Sequence, residues 1–339
     1  RATNCSIPQY IFWSILLLNT KKQDIFTSEL EHKDIFCFFV ILIKLKKMSH
    51  KAGFVSIIGK PNAGKSTLMN ALVGEKMSII TPKAQTTRHR IIGIVNDEEH
   101  QIVFSDTPGI IKPNYSLQES MMNFVQGSLI DADIILFVTD INEKYDENDV
   151  IEKLKKTSSP VAVLINKIDK SNEAEVMAKV EFWKETINPE VIFAVSALLN
   201  HNVTGVMDYI KEKLPVHAPY YEKDELTDKS MRFFVSEMIR EKIFKLYDKE
   251  IPYSSEVIVT SYKEEPKITR IAAEIIVERD SQKNIIIGTG GSMIKKVGTY
   301  ARQDIEEFIG KKVFLEVFVK VIPDWRSKKN YLKRFGYDD

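Results

Sequence analysis

Apolar and polar positions alternate in two different ways along this chain of 339 residues. Between Gly53 and Leu214, short runs rich in β-branched residues alternate with longer stretches in which apolar residues recur every three or four positions. The short runs predict buried strands, and the longer stretches predict amphipathic helices that cover both faces of a sheet. The pattern therefore predicts an α/β domain whose parallel-type mixed sheet is flanked by helices.

The same pattern places the individual elements of this first domain. The predicted strands are Phe54–Ile58, Ile91–Asn96, Gln101–Ser105, Ile134–Thr139, Val161–Ile165 and Val191–Val195. The predicted helices are Lys65–Val73, Ser116–Ala132, Glu143–Thr157, Ala174–Glu185 and Val203–Leu214. Ligands of such open sheets bind beyond the carboxyl ends of the strands, so we expect functional residues directly after the strands.

A second, smaller α+β domain is predicted beyond residue 229. Pro215 and Pro219 end the first domain, predicted at 50–214, because prolines this close cannot continue a helix. They predict a linker at 215–229 and a second domain at 230–339. The elements predicted there are a helix to Tyr247 capped by Thr227 or Asp228, strands Ser255–Tyr262 and Ile268–Glu278, a helix to Phe308, a strand Lys312–Val321 and a C-terminal tail.

Residues 1–47 differ from the rest of the chain. Their apolar runs, Ile11–Leu18 and Ile35–Ile43, are shorter than the roughly 20 residues that a helix needs to cross a bilayer. The first run is not followed by the small-residue cleavage site of a signal peptide. Because Met48 directly precedes the first domain, we expect residues 1–47 to be an extension outside the functional protein. A targeting or membrane-touching leader is the alternative.

Charge and cysteine content exclude some classes of protein. The chain has 48 Lys and Arg against 47 Asp and Glu, so its net charge of +1 indicates no particular partner. Its two cysteines, Cys5 and Cys37, precede the first domain and form no disulfide framework or cysteine-based metal site. This usage is typical of a reducing compartment, and we expect a cytoplasmic protein.

A glycine-rich turn joins the first predicted strand to the first predicted helix. It comprises Gly59, Lys60, Pro61, Asn62, Ala63, Gly64, Lys65, Ser66 and Thr67. Such a P-loop aims backbone N–H groups and a helix N-terminus at a polyphosphate, and Gly59 and Gly64 permit its close approach. We expect Lys65 to contact the β and γ phosphates and the Ser66 hydroxyl to ligate Mg²⁺.

Two more segments predict the chemistry of the γ-phosphate. The motif after the third predicted strand consists of Asp106, Thr107, Pro108 and Gly109. Its carboxylate can hold Mg²⁺ through water, and the Gly109 N–H can sense the γ-phosphate. In the Gln85–Arg90 segment, Thr87, or Thr86 as the alternative, can complete the Mg²⁺ shell when that phosphate is present. Lys65, Thr87 and Gly109 are the predicted catalytic residues for in-line attack of water.

The base of the nucleotide is predicted by the motif Asn166, Lys167, Ile168 and Asp169. The Asp169 carboxylate can accept hydrogen bonds from N1–H and the exocyclic amine of guanine, and Asn166 can bond the other base edge. Adenine offers a mismatch there that costs a few kcal/mol, so the motif favours GTP over ATP. The loop of Ser196, Ala197 and Leu198 is expected to close over the base.

The second domain carries a candidate RNA-binding loop. Gly288, Thr289, Gly290 and Gly291 lie between an apolar run and a helix, as in the G-x-x-G loop with which a KH domain clamps single-stranded RNA. Lys295 and Lys296 are expected to contact the RNA. Further positive charge near the loop comes from Lys283, Arg302, Lys311 and Lys312. Many KH loops have a Lys where this chain has Thr289 and Gly290, so backbone N–H groups and the flanking lysines must contribute more of the phosphate contact.

The P-loop, taken with Lys83–Arg90, resembles the Era family of GTPases. Ser236–Lys242, Val319–Val321 and Trp325 extend the resemblance over residues 50–339. It implies GTP hydrolysis with Mg²⁺, GTP and GDP states, and a KH domain that binds small-subunit ribosomal RNA near its 3′ end. It also implies a role in small ribosomal subunit assembly. Ile110 stands where a water-orienting Gln would be needed, which predicts slow intrinsic turnover.

Some alternatives remain open at the level of sequence. The protein could be an RNA-binding assembly factor in which the nucleotide is structural, whereas a metabolic P-loop kinase is disfavoured by Asn166–Asp169. Some relatives use the P-loop Asn, here Asn62, to hold K⁺, and the sequence leaves this open. We expect a monomer, with peripheral membrane contact as a further alternative.

Overall fold

A computed structural model describes residues 50–143 and 149–337. The predicted extension at 1–47 lies outside the described residues. Among the residues it describes, no helix is long and apolar enough to span a membrane.

The first domain is built on a six-stranded sheet. Its strands are β1 (Lys51–Ile58), β2 (Ile91–Asn96), β3 (His100–Asp106), β4 (Ile134–Asp140), β5 (Val161–Asn166) and β6 (Val191–Ala194). They lie in the order β2-β3-β1-β4-β5-β6, with β2 antiparallel to β3 and the other neighbours parallel. The predicted mixed, mostly parallel sheet is confirmed.

Helices cover both faces of this sheet. They are α1 (Lys65–Val73), α2 (Ser116–Asp131), α3 (Asp149–Lys156), α4 (Glu173–Ile187) and α5 (Val203–Lys213). Leu68 of α1 and Ile210 of α5 belong to one buried core, and Val125 of α2 and Trp183 of α4 belong to a second core on the opposite face. Burial on both faces explains why β1, β4 and β5 read as nearly continuous apolar runs.

The second domain packs helices on one face of a three-stranded sheet. Its elements are α6 (Met231–Leu246), α7 (Ile251–Ser254), β7 (Glu256–Glu264), β8 (Thr269–Val277), α8 (Asp280–Ile287), α9 (Ser292–Ile309), β9 (Val313–Val321) and α10 (Lys329–Arg334). Strand β8 pairs antiparallel with β7 and parallel with β9. The prediction of a smaller α+β domain is confirmed, and the apolar run before the glycines is the end of α8.

The N-terminus of α6 differs from the prediction. Its cap is Ser230, whose hydroxyl accepts from the Phe233 N–H, rather than Thr227 or Asp228. Thr227 instead donates its hydroxyl to the Ile92 carbonyl of β2 at 2.6 Å. The prediction was wrong because this side chain serves a contact with another domain, which a local capping pattern does not reveal.

Residues 215–229 follow the edge of the first domain's sheet. The Gln101 side-chain oxygen accepts from the N–H groups of Tyr220 at 2.6 Å and Tyr221 at 3.0 Å. The Ile94 N–H of β2 donates to the Leu226 carbonyl at 2.8 Å. The segment predicted as a linker is therefore bound to β2 and β3 rather than suspended in solvent.

The two domains share an apolar contact. Leu117 and Met121 of α2 pack in one buried cluster with Ile276, Trp325 and Leu332 of the second domain. Residues from His50 onward accordingly cluster as one unit.

The substitution Trp325→Ala tests this contact. Trp325 is 0% exposed and donates its indole N–H to the Ser254 carbonyl at 3.0 Å. Its removal leaves a cavity and an unpaired carbonyl, so we expect the free energy of unfolding to fall by about 3–5 kcal/mol. Denaturant titration measures this loss.

The matched control is Phe318→Ala, because the Phe318 side chain is 56% exposed. That change should alter the free energy of unfolding by less than about 1 kcal/mol. Equal effects of the two substitutions would contradict the assignment of Trp325 to the domain contact.

Candidate functional site

The P-loop lies at the carboxyl edge of the central strand β1. Gly64 caps α1 with φ 97°, a left-handed conformation that favours glycine. A Cβ at this position would lie 2.2 Å from Nδ2 of Asn166, so no larger residue fits between the loop and β5. Helix α1 therefore starts with its N-terminal dipole at the end of β1, as the predicted phosphate site requires.

Lys65 occupies the centre of this loop. Its buried ammonium donates to the carbonyl oxygens of Gly59 at 3.0 Å and Lys60 at 2.9 Å. Burial lowers the pKa of Lys65 to about 8, although the charges of Asp106 and Glu143 act in the opposite direction. A buried cation in this condition is stabilised by an anionic ligand, as expected of a residue that contacts phosphates.

The three predicted metal ligands meet beside the P-loop. Oγ of Ser66 donates to Oδ2 of Asp106 at 2.7 Å and is hydrogen-bonded to Oγ1 of Thr87 at 2.8 Å. Within the described residues, Oδ1 of Asp106 is buried and has no hydrogen-bond partner. Burial raises the pKa of Asp106, against the hydrogen bond from Ser66 and the charge of Lys65. These oxygens and the unpartnered Oδ1 fit a hard cation such as Mg²⁺.

A fourth side chain in this cluster was not predicted from the sequence. Ser78 donates its hydroxyl to Oδ2 of Asp106 at 2.8 Å. It belongs to the connection between α1 and β2, where no motif marks it. Only the tertiary structure brings it to the end of β3.

The Asp106–Gly109 motif is tied to the P-loop. Oγ1 of Thr107 donates to the Ile57 carbonyl of β1 at 2.8 Å, and the N–H of Ile110 donates to the Gly59 carbonyl at 3.0 Å. These bonds hold Pro108 and Gly109 beside the loop. The structure thus brings together the residues predicted to act on the terminal phosphate.

The residues predicted to recognise the base form a connected network. Asn166 donates to the Ala63 carbonyl at 2.8 Å and accepts from the Ala197 N–H at 3.0 Å, which joins the P-loop to the loop after β6. Ser196 donates to Oδ1 of Asp169 at 2.5 Å. Asn166 therefore organises the site, and its predicted bond to the base stays a prediction.

A cavity of about 530 Å³ adjoins these motifs. The predicted residues that line it are Pro61, Asn62, Gly64, Lys65, Ser66, Thr67, Thr87, Gly109, Lys167 and Leu198. Lys167 donates to the Asn62 carbonyl at 2.5 Å and to Asp140 at 2.6 Å, a partner that the sequence did not indicate. The cavity thus runs along the P-loop and reaches Lys167 and Leu198, whereas Asp169 is not among the lining residues.

The glycine loop of the second domain connects α8 to α9. Gly288 has φ 72°, and a Cβ there would lie 2.7 Å from Cγ of Met293. Gly290 and Gly291 also have positive φ, and α9 begins at Ser292. The loop therefore presents backbone N–H groups at a helix N-terminus, which fits the predicted clamp for RNA phosphates.

A groove of about 290 Å³ lies between α9 and β9. Lys295 and Arg302 line it together with the apolar Ile294, Leu315 and Val317. Two of the predicted cations outside the lining have other neighbours. The ammonium of Lys296 lies 5.8 Å from the Tyr300 ring centre, and that of Lys312 lies 3.7 Å from the Glu306 carboxylate.

The middle of the Gln85–Arg90 segment, Thr86 to Arg88, is buried and contacts the second domain. Arg88 is 0% exposed and donates to the carbonyls of Ser255 at 2.8 Å and Pro252 at 2.9 Å. It also pairs with the Glu256 carboxylate at 3.1 Å. The sequence does not indicate these partners of Arg88, because they lie more than 160 residues away.

Two neighbours of Arg88 add to this contact. The Thr86 carbonyl accepts from the guanidinium of Arg240, which is paired with Glu237 at 2.5 Å. The His89 ring stacks on Tyr337 with ring centres 4.2 Å apart. The residues on both sides of Thr87 are thus attached to the second domain.

Comparisons with known proteins agree with this geometry. Residues 54–167 match the family described as 50S ribosome-binding GTPase, and residues 250–326 match the KH domain. The chain is similar to Era solved with MgGDPNP and nucleotides 1506–1542 of 16S ribosomal RNA, with 40% identity over 85% of this chain and 99% of that chain and a TM-score of 0.80. It is similar to a variant of Aquifex aeolicus Era bound to GDP·AlF₄⁻, with 41% identity, the same coverage and a TM-score of 0.80.

The substitution Asp169→Asn tests the base-recognition site. The amide cannot accept both guanine hydrogen bonds, so we expect the affinity for GTP to fall about a hundredfold while weak ATP binding is unchanged. Xanthosine triphosphate has a carbonyl where guanine has its amine, and the Asn amide can donate to that carbonyl. The affinity of the variant for xanthosine triphosphate should therefore rise. Competition against a fluorescent nucleotide measures all three.

The control is Glu173→Gln, which removes the same charge from an exposed residue at the start of α4. It should leave the nucleotide preference unchanged. Undiminished GTP preference in Asp169→Asn would contradict the role assigned to this carboxylate.

Proposed function

The chain belongs to the Era family of GTPases, and we propose that its nucleotide and RNA sites act together as a switch in small ribosomal subunit assembly. It is a GTP-hydrolysing enzyme with a KH domain that binds ribosomal RNA. The observation that carries the proposal is the position of Thr87, which contacts Ser66 in the nucleotide site while its neighbours contact the second domain.

For hydrolysis we propose these roles. Lys65 binds the β and γ phosphates, the Gly109 N–H binds the γ-phosphate, and Ser66, Thr87 and Asp106 hold Mg²⁺. When bound, Mg²⁺ neutralises charge on the transferred phosphoryl group. Asp169 and the Ser196–Leu198 loop hold the guanine. These side chains position the substrate for in-line attack by water.

Turnover should be slow without a further factor. Ile110 packs partly buried against the apolar core on the α2 side of the sheet and cannot orient a water molecule. Asn62 lies in the left-handed conformation with φ 63° and lines the nucleotide cavity. We propose that its side chain is available to hold K⁺, which omission of K⁺ from hydrolysis assays would test.

For RNA we propose that Gly288–Gly291 and the groove beside α9 bind a single-stranded segment. The loop supplies backbone N–H groups, and Lys295 and Lys296 supply charge. Because the similar Era was solved with 16S RNA nucleotides 1506–1542, we propose the 3′ end of the small-subunit RNA as ligand. The partner is then the small ribosomal subunit, and we propose a cytoplasmic monomer for the free protein.

The nucleotide site and the second domain are coupled through the residues on either side of Thr87 in the chain. Thr86 and Arg88 are bonded to Thr87 and anchored in the second domain. If Thr87 moves when the terminal phosphate is lost, it must move its neighbours or break their contacts. This favours a switch over the alternative in which the bound nucleotide is only structural.

The substitution Arg88→Met tests the coupling. In the native protein we expect the affinity for a 3′-terminal RNA fragment to differ at least about fivefold between a GTP analogue and GDP. In Arg88→Met this ratio should fall below about twofold, because the segment loses its charged anchor. Fluorescence anisotropy with both nucleotides measures the ratio.

The control is Arg232→Met, an exposed arginine on the same helix as Arg240. It should keep the native ratio, and unfolding curves should confirm that both variants are folded. If the native protein binds RNA equally well with both nucleotides, the alternative in which the nucleotide is only structural is supported instead. If Arg88→Met keeps the native affinity ratio, Arg88 is excluded as the coupling residue.

The double substitution Lys295→Ala and Lys296→Ala tests the RNA site. Each lysine that neutralises a phosphate contributes about 0.7 to the slope of log affinity against log salt on single strands. We expect weaker binding and a slope smaller by about 1.4. Titrations at several salt concentrations measure it.

Loss of two charges from α3, by Lys153→Ala and Lys155→Ala, is the matched control. Both lysines are exposed in the first domain, so the salt slope should stay native. Identical slopes in the two double variants would contradict a specific RNA contact near the glycine loop.

A further inference from the structure

The carboxylate of Asp106 is held by a residue outside the nucleotide cavity. Its Oδ2 accepts from the hydroxyl of Ser66 at 2.7 Å and from the hydroxyl of Ser78 at 2.8 Å. Ser78 is 1% exposed and does not line the cavity, although the next residues, Ile79 and Ile80, do. The contact of its hydroxyl is with Asp106, the predicted metal ligand, which like Ser78 does not line the cavity.

The two donors on one oxygen fix the orientation of the carboxylate. With Oδ2 held from two sides, Oδ1 is the oxygen that remains unpartnered within the described residues, although it is fully buried. A buried unpartnered oxygen costs free energy unless a ligand occupies it. The pair of serines thus determines which oxygen of Asp106 is offered to a cation.

Ser78 is itself fixed by helix α1. Oδ1 of Asn70 accepts from the N–H groups of Ser78 at 2.9 Å and Met77 at 3.0 Å. Nδ2 of Asn70 donates to the Ser78 carbonyl at 2.8 Å. Helix α1 starts at the P-loop, so the helix whose N-terminus faces the phosphate site also positions Ser78 through Asn70.

We propose that Ser78 is a positioning residue for Mg²⁺, which it favours by holding Asp106 in the orientation that offers Oδ1. This inference rests on the proposed function, in which Mg²⁺ accompanies the nucleotide. Groups that orient metal ligands typically contribute about 10–100-fold to metal affinity. Ser78 differs from Ser66 and Thr87 because it is not itself a candidate ligand.

The test is the Mg²⁺ dependence of nucleotide release in Ser78→Ala. A fluorescent GDP analogue is bound to the full chain, and its dissociation rate is measured at stepped Mg²⁺ concentrations. We expect the Mg²⁺ concentration that gives half the slowing to rise about tenfold. With excess chelator, the dissociation rate should equal that of the native protein, since Ser78 does not line the cavity.

The control is Ser128→Ala, another buried serine of the first domain, whose hydroxyl is hydrogen-bonded to those of Ser56 and Ser105. It should keep the native Mg²⁺ requirement. Thermal unfolding of both variants separates misfolding from a local effect. If Ser78→Ala unfolds, Ser78→Thr, which retains the hydroxyl, should keep the native requirement.

Four outcomes would overturn the inference. A native Mg²⁺ requirement in a folded Ser78→Ala would exclude a positioning role, and so would a raised requirement in a folded Ser78→Thr. Faster release in chelator would show that Ser78 supports the cavity and not the metal. If the native protein binds guanine nucleotide without any Mg²⁺ dependence, the metal assignment in the proposed function fails as well.

Discussion

The buried guanidinium of Arg88 is the interaction on which the relation between the two domains depends. It lies on the first domain, and its acceptors, three carbonyls and the Glu256 carboxylate, lie on the second. Removing one partner of a buried charge pair leaves the other uncompensated, which typically costs about 3–5 kcal/mol. The domains therefore cannot separate along this surface without new partners for these charges.

The surroundings of Arg88 make this contact specific. The Tyr337 hydroxyl is hydrogen-bonded to the same Glu256 carboxylate, and the Tyr337 ring stacks on His89. Burial lowers the pKa of His89 to about 4, so the stacked ring is neutral near pH 7. A neutral ring beside two buried guanidinium groups avoids a third positive charge. Polar networks of this kind favour one arrangement of the domains because alternatives leave buried groups unpaired.

Much of the first domain was accessible from sequence because its signals are local. A strand, a glycine turn and a helix follow one another in the P-loop, and the Asp106 and Asn166 motifs directly follow strands. The roles of Ser78 and Arg88 were not accessible, because each depends on a partner brought close by the tertiary structure. The end of α8 shows a similar limit. Ile286 is buried whereas Ile285 is 48% exposed, and three consecutive isoleucines do not reveal this helical alternation.

The linker segment covers the edge strand β2, which matters for a fragment that contains only the first domain. An edge strand with free backbone groups is a template for pairing between molecules, and proteins protect such edges by covering them. Here the Leu226 carbonyl accepts from the Ile94 N–H of β2, and the Thr227 hydroxyl donates to the Ile92 carbonyl of the same strand. A fragment that stops at residue 214 would expose this edge and invite aggregation, whereas one that continues to residue 229 would keep its own cover.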